Sequence, residues 1–197
     1  MKAKKTKVII CSLVLALSFL YSKQASAQTY VKGNLPLAAV LIPNFAIETG
    51  IGGKWSVQAS ATASLWESVN GGPQKFFFLI AEARYHLDTI DHGFFAGLNI
   101  GGANFKMQKY NYWNTDKYQV GYAYLGGASL GYNFKINEKW GLELFVGGGF
   151  IGSFYRGYYL STGEQYDQDQ VQDMNRQFDR SGDWLPYEGG LMLTYKL

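Results

Sequence analysis

The sequence has little charge, little proline and almost no cysteine. Charged residues make up 17% of its 197 positions, and it contains 4 prolines and 1 cysteine. An average protein is about one quarter charged, and disordered chains are poorer in aromatic residues than this one. With 24 glycines and 17% aromatic residues, the composition excludes a disordered chain and argues against an ordinary helical enzyme. Repeated β-strands fit it better.

The first 27 residues have the layout of a secretory signal peptide. Residues 1–7 are cationic, residues 8–21 form an uncharged apolar run, and Ala25-Ser26-Ala27 is a small-residue cleavage site. A membrane helix would need about 20 apolar residues. We therefore predict cleavage after Ala27, which leaves a signal peptide, 1–27, and one domain, 28–197. Cleavage removes the only cysteine and five lysines, so the formal charge falls from +3 to −2. A slightly negative mature chain gives no indication of a nucleic-acid partner.

Beyond residue 28 the dominant pattern is an alternation of apolar residues with small or polar ones. From Trp55 to Leu65 every second residue is apolar, and the residues between them are Ser, Gln or Thr. A period of two predicts a β-strand with one apolar face. Weaker copies of the pattern bring the total to eight predicted strands, at residues 31–41, 44–51, 55–65, 76–87, 94–105, 122–134, 140–150 and 187–197.

The connections between these predicted strands alternate in length. The tight turns are residues 52–54, 88–93 and 136–139, and the long polar connections are residues 66–75, 106–119 and 156–183. Several strands reach the length of about 10 residues that a tilted strand needs to cross a bilayer. Short turns at one end and long loops at the other are typical of outer-membrane proteins. We predict an all-β fold, an eight-stranded antiparallel up-and-down transmembrane β-barrel with three long extracellular loops.

Alternation alone does not decide which face of such a barrel is apolar. A soluble periplasmic ligand-binding barrel, the alternative, turns its apolar face inward. Here the face opposite the large apolar residues is made of Gly, Ser, Thr and Ala with scattered charges, too small and polar for the core of a soluble barrel. This favours the outer membrane as the location.

Aromatic residues cluster near both ends of the predicted strands, as in interfacial belts. The belt beside the tight turns contains Trp55, Tyr85, Phe94, Tyr132, Trp140 and Tyr195. The belt beside the long loops contains Phe77, Tyr122, Tyr124, Phe154 and Tyr187.

Several short motifs are similar to those of a known family. They are Asn34-Leu35, Pro43-Asn44, Glu48, Gly52, Lys54-Trp55-Ser56, Ala83-Arg84-Tyr85 and Gly93-Phe94-Phe95-Ala96-Gly97. In them the chain resembles the domain-of-unknown-function family 3575 of small exported barrels, which implies a fold and an export route but no activity. The architecture is also similar to the eight-stranded transmembrane part of the OmpA-like proteins. The C-terminal alternation up to Tyr195 and Leu197 resembles the recognition signal of outer-membrane barrels, which implies the barrel-assembly machinery as a partner during insertion.

Six charged residues fall on the face predicted to line the lumen. They are Glu48, Glu82, Arg84, Glu143, Glu188 and Lys196. Because an eight-stranded barrel is just wide enough to be filled by side chains, these charges must pair with one another or hold water. We predict a polar plug around Arg84, with the gate of a narrow pore as the alternative.

Nothing in the sequence indicates catalysis, a cofactor or a metal. We expect His86 and His92 to be solvated at a tight turn, and the chain has no His-x-Ser pair and no HExxH motif. A lipid-modifying enzyme is therefore the less favoured alternative.

One predicted long loop carries an aromatic cluster of Tyr110, Tyr112, Trp113 and Tyr118. Exposed Tyr and Trp are frequent binding anchors, but here they could equally cap the barrel or contact lipopolysaccharide. The predicted function is structural or recognitive at the cell surface, with outer-membrane lipid, lipopolysaccharide and an extracellular partner of the loops as the partners considered.

Overall fold

A computed structural model describes residues 28–69, 71–109, 112–166 and 178–197. The predicted signal peptide and Tyr110 lie outside these ranges. The described chain contains one short helix, α1 (Leu35–Ala39), and a set of long strands. The strands are β1 (Thr29–Asn34), β2 (Asn44–Gly52), β3 (Trp55–Val69), β4 (Gly72–His86), β5 (Gly93–Met107), β6 (Lys117–Lys135), β7 (Trp140–Tyr159) and β8 (Asp179–Lys196).

The eight strands form one antiparallel up-and-down sheet. Each strand pairs with the next, and β1 also pairs with β8, so the sheet closes into a ring, a closed barrel. The closing contact runs from Tyr30 opposite Lys196 to Asn34 opposite Met192. Closure gives both edge strands a hydrogen-bonding partner. The prediction of an all-β fold with eight antiparallel strands is confirmed.

The two ends of the ring differ. At one end, which we call the turn end, lie the three predicted tight turns and both termini of the described barrel, where the Leu197 amide donates to the Thr29 carbonyl at 3.0 Å. Gly53, in the first of these turns, has a φ of +59°, a left-handed conformation that glycine adopts without steric cost. The opposite end, the loop end, carries α1 and the remaining connections.

The prediction of a strand over residues 31–41 is wrong beyond Asn34. The side-chain oxygen of Asn34 accepts a hydrogen bond from the Leu37 amide at 3.2 Å and so caps α1. Pro36 has no amide hydrogen to donate to a strand ladder, whereas the first turn of a helix accepts it. The side-chain nitrogen of Asn34 also donates to the Gly189 carbonyl of β8 at 3.1 Å, which fixes α1 to the inner wall.

The prediction of a long loop at residues 66–75 is also wrong. β3 and β4 remain paired up to Trp66 opposite Gln74 and Val69 opposite Gly72, so they are joined by a tight hairpin. The polar residues that suggested a loop belong to the ends of two 15-residue strands. Two long connections therefore remain, between β5 and β6 and between β7 and β8.

Burial alternates along the strands, with large apolar side chains on the outside and most of the polar side chains on the inside, where apolar residues such as Ile80, Phe95 and Met192 are also buried. On β5, Asn99 is buried, whereas its neighbours Leu98 and Ile100 are 73% and 71% exposed. The interior contains fully buried charged residues such as Arg84 and Glu143. Other large apolar side chains on the exposed face are Phe45, Ile47, Leu65, Leu79, Leu130, Leu144 and Val146.

Candidate functional site

A cluster of charged side chains fills the interior in the half of the ring nearer the turn end. We call it the charge cluster, and it consists of Lys32, Glu48, Glu82, Arg84 and Glu143. Its members come from β1, β2, β4 and β7, because alternation directs every second residue of each strand inward. Four of them are among the six lumen charges predicted from the sequence.

Arg84 lies at the centre of the charge cluster. Its Nη2 lies 2.8 Å from Glu82 Oε2, and its Nη1 lies 3.0 Å from Glu143 Oε1 and 3.6 Å from Glu48 Oε2. The guanidinium also stacks 4.3 Å from the centroid of the Phe95 ring. A planar guanidinium suits this arrangement because it presents several donors in a fixed geometry.

Lys32 is the member that the sequence reasoning missed. Lys32 lies on β1, and its buried ammonium group bridges Glu48 and Glu143. The bond to Glu143 spans 111 positions in the chain and exists because ring closure brings β1 beside β8, which in turn pairs with β7. The alternation of β1, which directs even-numbered residues inward, is the signal from which Lys32 could have been identified.

Polar side chains surround the carboxylates of the charge cluster. Ser56 donates a hydrogen bond to Glu48, and Ser129 donates one to Glu82. His86 Nε2 lies 2.8 Å from Ser56 Oγ and 3.1 Å from Glu48 Oε1. Since Ser56 and Glu48 share the same ring nitrogen and all three side chains are fully buried, this group lacks the geometry of a catalytic relay.

The expectation that both histidines are solvated is half right. His92 is exposed and pairs with Asp88 at 2.9 Å. His86 is completely buried, and the prediction for it is wrong, because it is the last residue of β4 and shares the inward parity of Glu82 and Arg84.

Glu188 lies in the interior but outside the charge cluster. Its Oε1 accepts a hydrogen bond from Asn99 Nδ2 at 2.6 Å, and it has no ion-pair partner among the described residues. A register shift between Gly147 and Gly148 interrupts the alternation of β8. Tyr187 therefore also points inward, where its hydroxyl donates to Asn99, and its assignment to an outer belt is wrong.

The aromatic residues predicted beside the tight turns lie on the outer face near the turn end. They occupy six successive strands, with Trp55 on β3, Tyr85 on β4, Phe94 on β5, Tyr132 on β6, Trp140 on β7 and Tyr195 on β8. The ring centroids of three pairs are 5.1, 4.7 and 4.7 Å apart, and the pairs are Trp55 with Tyr85, Phe94 with Tyr132, and Trp140 with Tyr195. We call these six residues the aromatic collar.

The aromatic cluster predicted for one long loop is divided. Tyr118 belongs to β6, and its assignment to a loop is wrong because the strand begins at Lys117; its ring stacks on Tyr158 of β7. Tyr112 lies in the connection, with its ring centroid 6.5 Å from that of Tyr166. Trp113 is the most exposed of the described members, at 42%.

A surface ion pair links the β4–β5 turn to the end of β6 at the turn end. Lys135 Nζ lies 2.8 Å from Asp91 Oδ2, and Thr89 donates a hydrogen bond to the same carboxylate at 2.8 Å. Burial alone would raise the pKa of Asp91, but these hydrogen bonds and the charge of Lys135 hold it below its ordinary value.

The family model described as protein of unknown function (DUF3575) matches residues 9–195. The chain belongs to this family. No curated protein and no solved structure matches it. Membership of DUF3575 confirms the resemblance drawn from the sequence motifs, and it brings no activity with it.

In the part of this DUF3575 chain that the structure describes, no helix is long and apolar enough to cross a membrane. Within the same ranges, no group of three or more His, Cys, Asp and Glu side chains is arranged to hold a metal ion.

Proposed function

We propose that this DUF3575 protein is an outer-membrane β-barrel with a structural or surface-recognition role, closed to solutes by the charge cluster. The observation that carries the proposal is the distribution of side chains across the sheet. Leu98 and Ile100 expose more than 70% of their surface on the outside, while Arg84 and Glu143 are fully buried on the inside.

A hydrocarbon environment accounts for this distribution. Apolar surface exposed to water is unfavourable by about 25 cal/mol per Å², and soluble monomers seldom expose a contiguous apolar patch of more than a few hundred Å². The exposed apolar residues here occur on strands all around the ring, so water would meet an apolar surface on every side. Lipid chains would remove that penalty.

The aromatic collar and the strand lengths support the same proposal. Tyr and Trp side chains favour the boundary between lipid and water, and the collar would mark that boundary at the turn end. A tilted strand needs about 9–11 residues to cross the hydrocarbon, whereas β6, β7 and β8 have 18 to 20. These strands would therefore extend beyond the membrane at the loop end.

The proposal includes a route and a set of partners. Residues 1–27 would direct export and be removed after Ala27, and the barrel-assembly machinery would insert the domain. Outer-membrane lipid and lipopolysaccharide would contact the outer face. Recognition of an extracellular partner would involve the connections at the loop end, where Trp113 is exposed.

The charge cluster supports a plug rather than a pore or an enzyme. Glu48, Arg84 and Glu143 have no accessible surface, so a hydrated ion would find no path between them. The buried contacts of Ser56 and His86 give a substrate no access to a nucleophile. We therefore propose that the protein is not an enzyme.

Expression of the full chain in a Gram-negative host tests the proposal. Folded outer-membrane barrels resist SDS, so outer-membrane samples should show a different gel mobility before and after boiling. The purified protein should give no conductance steps in planar bilayers. A soluble periplasmic protein without the mobility shift would contradict the proposal and favour the soluble ligand-binding barrel, and conductance steps would favour the gated pore.

A further inference from the structure

The half of the interior nearer the loop end contains a cavity of about 350 Å³, a size within the range of small-molecule sites. It lies between Leu37 of α1 and the charge cluster. One wall is apolar and the other is polar. The apolar wall consists of Phe76, Phe78, Ile80, Phe145 and Met192, and the polar wall includes Asn44, Gln58, Ser60, Thr62 and Glu188.

Two acceptor oxygens on the polar wall receive no hydrogen bond. Gln58 is 5% exposed, and its Oε1 is buried and accepts no hydrogen bond. Asn44 donates to Thr62 at 2.7 Å, but its own Oδ1 accepts nothing. Buried polar atoms are usually paired, and leaving an acceptor unpaired costs about 1–3 kcal/mol. Unpaired acceptors on one cavity wall indicate a ligand that donates hydrogen bonds.

The charge balance indicates that the donor is a cation. The charge cluster and Glu188 together contain four carboxylates but two permanent cations, Lys32 and Arg84, and both of these contact the cluster's own carboxylates. Glu188 lines the cavity and has one hydrogen bond, from Asn99. Glu188 is half-buried, and a carboxylate that is partly removed from water without a cation is unfavourable. A bound ammonium group would supply that cation.

We propose that this cavity binds a small amphipathic amine, with its ammonium group between Glu188 and Gln58 and its apolar body against Phe76 and Phe78. Aromatic rings also attract cations to their faces, so the apolar wall tolerates the charge that the polar wall binds. The inference concerns the inside of the ring and does not depend on whether the outside faces lipid.

The test is a calorimetric titration of protein purified in detergent from whichever cell fraction contains it, with protein-free micelles as the blank. The probe is 2-phenylethylammonium, and the matched controls are 2-phenylethanol, which lacks the charge, and 3-phenylpropanoate, which reverses it. We expect saturable binding of the ammonium probe, at least tenfold weaker binding of the alcohol and no binding of the carboxylate. Equal binding of the alcohol and the amine, or no binding of the amine, overturns the proposal.

Three variants locate the site. Glu188→Gln should weaken binding of the ammonium probe at least tenfold, whereas Glu67→Gln, at an exposed carboxylate, should leave it unchanged. Ser60→Leu should abolish binding by filling the cavity without changing its charge. If Glu188→Gln and Ser60→Leu both fold and bind the probe like the unmodified protein, the cavity is not the site. If a variant fails to fold, the comparison of the three probes on the unmodified protein still decides.

Discussion

The two halves of the ring's interior have the same strands as walls but different contents. Toward the turn end, each carboxylate of the charge cluster lies against Lys32 or Arg84. Toward the loop end, Glu188 has one amide donor, and a cavity separates an apolar wall from a polar one. Alternation therefore determines which residues point inward, whereas the pairing of those residues decides whether the interior is filled or contains a cavity.

The largest loss of stability should come from removing Arg84, the central cation of the charge cluster. Arg84→Met leaves buried carboxylates without their partner, which typically destabilises a protein by 3–5 kcal/mol. We expect this loss in the free energy of unfolding measured by urea titration in detergent micelles, with a reduced fraction of heat-modifiable protein. Lys75→Met is the matched control, since its partner Glu67 is 82% exposed and such pairs contribute about 0–1 kcal/mol. Equal losses in both variants would show that the charge cluster does not stabilise the barrel.

A charge introduced on the outer face tests whether that face contacts lipid. Leu98→Arg should destabilise the protein in a bilayer by about 2–4 kcal/mol if this position faces the middle of the membrane. Thr162→Arg, at an exposed position of a loop-end connection, should change stability little. Unfolding in lipid vesicles, followed by tryptophan fluorescence, compares the two. No difference between them would argue against a lipid-facing surface.

Two adjacent glycines of β6, Gly126 and Gly127, lie at the boundary between the two halves. A methyl group on Gly127 would lie 2.1 Å from the Gly148 carbonyl oxygen, whereas one on Gly126 would lie 3.8 Å from its nearest neighbour. Overpacking of this kind destabilises by about 1–3 kcal/mol. Gly127→Ala should therefore lower the urea midpoint clearly more than Gly126→Ala. Similar midpoints would mean that the backbone around Gly127 and Gly148 shifts to accommodate the added methyl group.

Toward the loop end, removing the charge of Glu188 should change the free energy of unfolding in the opposite direction from removing the charge of Arg84. Glu188→Gln eliminates a half-buried carboxylate without a cation, so we expect the free energy of unfolding to stay constant or to rise by up to about 1 kcal/mol. The same urea titration in micelles measures it. A loss comparable to that of Arg84→Met would place Glu188 in the charge cluster and remove the distinction between the two halves.

The smallest effect is expected outside the interior, at the turn end. Because the pKa of folded Asp91 is lowered, its contribution to stability is present above the ordinary Asp range and disappears as the pH falls through the lowered pKa. Asp91→Asn should therefore be slightly less stable than the unmodified protein at neutral pH and equally stable at low pH. Thermal unfolding across this pH range measures the difference. A gap that persists at low pH would assign the effect to lost packing.

The sequence predicted the strands well where local chemistry determines them. Trp55 and Trp140 were correctly placed at strand starts because period two and the preceding turns mark them. The errors have local physical causes. Pro36 and the Asn34 cap convert the end of the first predicted strand into α1, and the polar ends of β3 and β4 resemble a loop although they remain paired.

The interior was predictable only in part. The parity of β4 identifies Glu82 and Arg84 as inward residues, and an eight-stranded ring forces inward charges together. Lys32 was missed because its ion pairs depend on ring closure. The inward turn of Tyr187 depends on the register shift at Gly147 and Gly148, and the cavity depends on side-chain packing; neither is visible in a local pattern.

The most direct test of the central claim is the environment of residue 98. Cys11, the one native cysteine, lies in the predicted signal peptide, so Leu98→Cys provides a single thiol for a fluorescent label once the peptide has been removed. In vesicles, we predict strong quenching by nitroxide groups on the lipid acyl chains and little quenching by aqueous iodide. Quenching by iodide but not by the lipid nitroxides would show that the outer face of the ring meets water and would contradict the account.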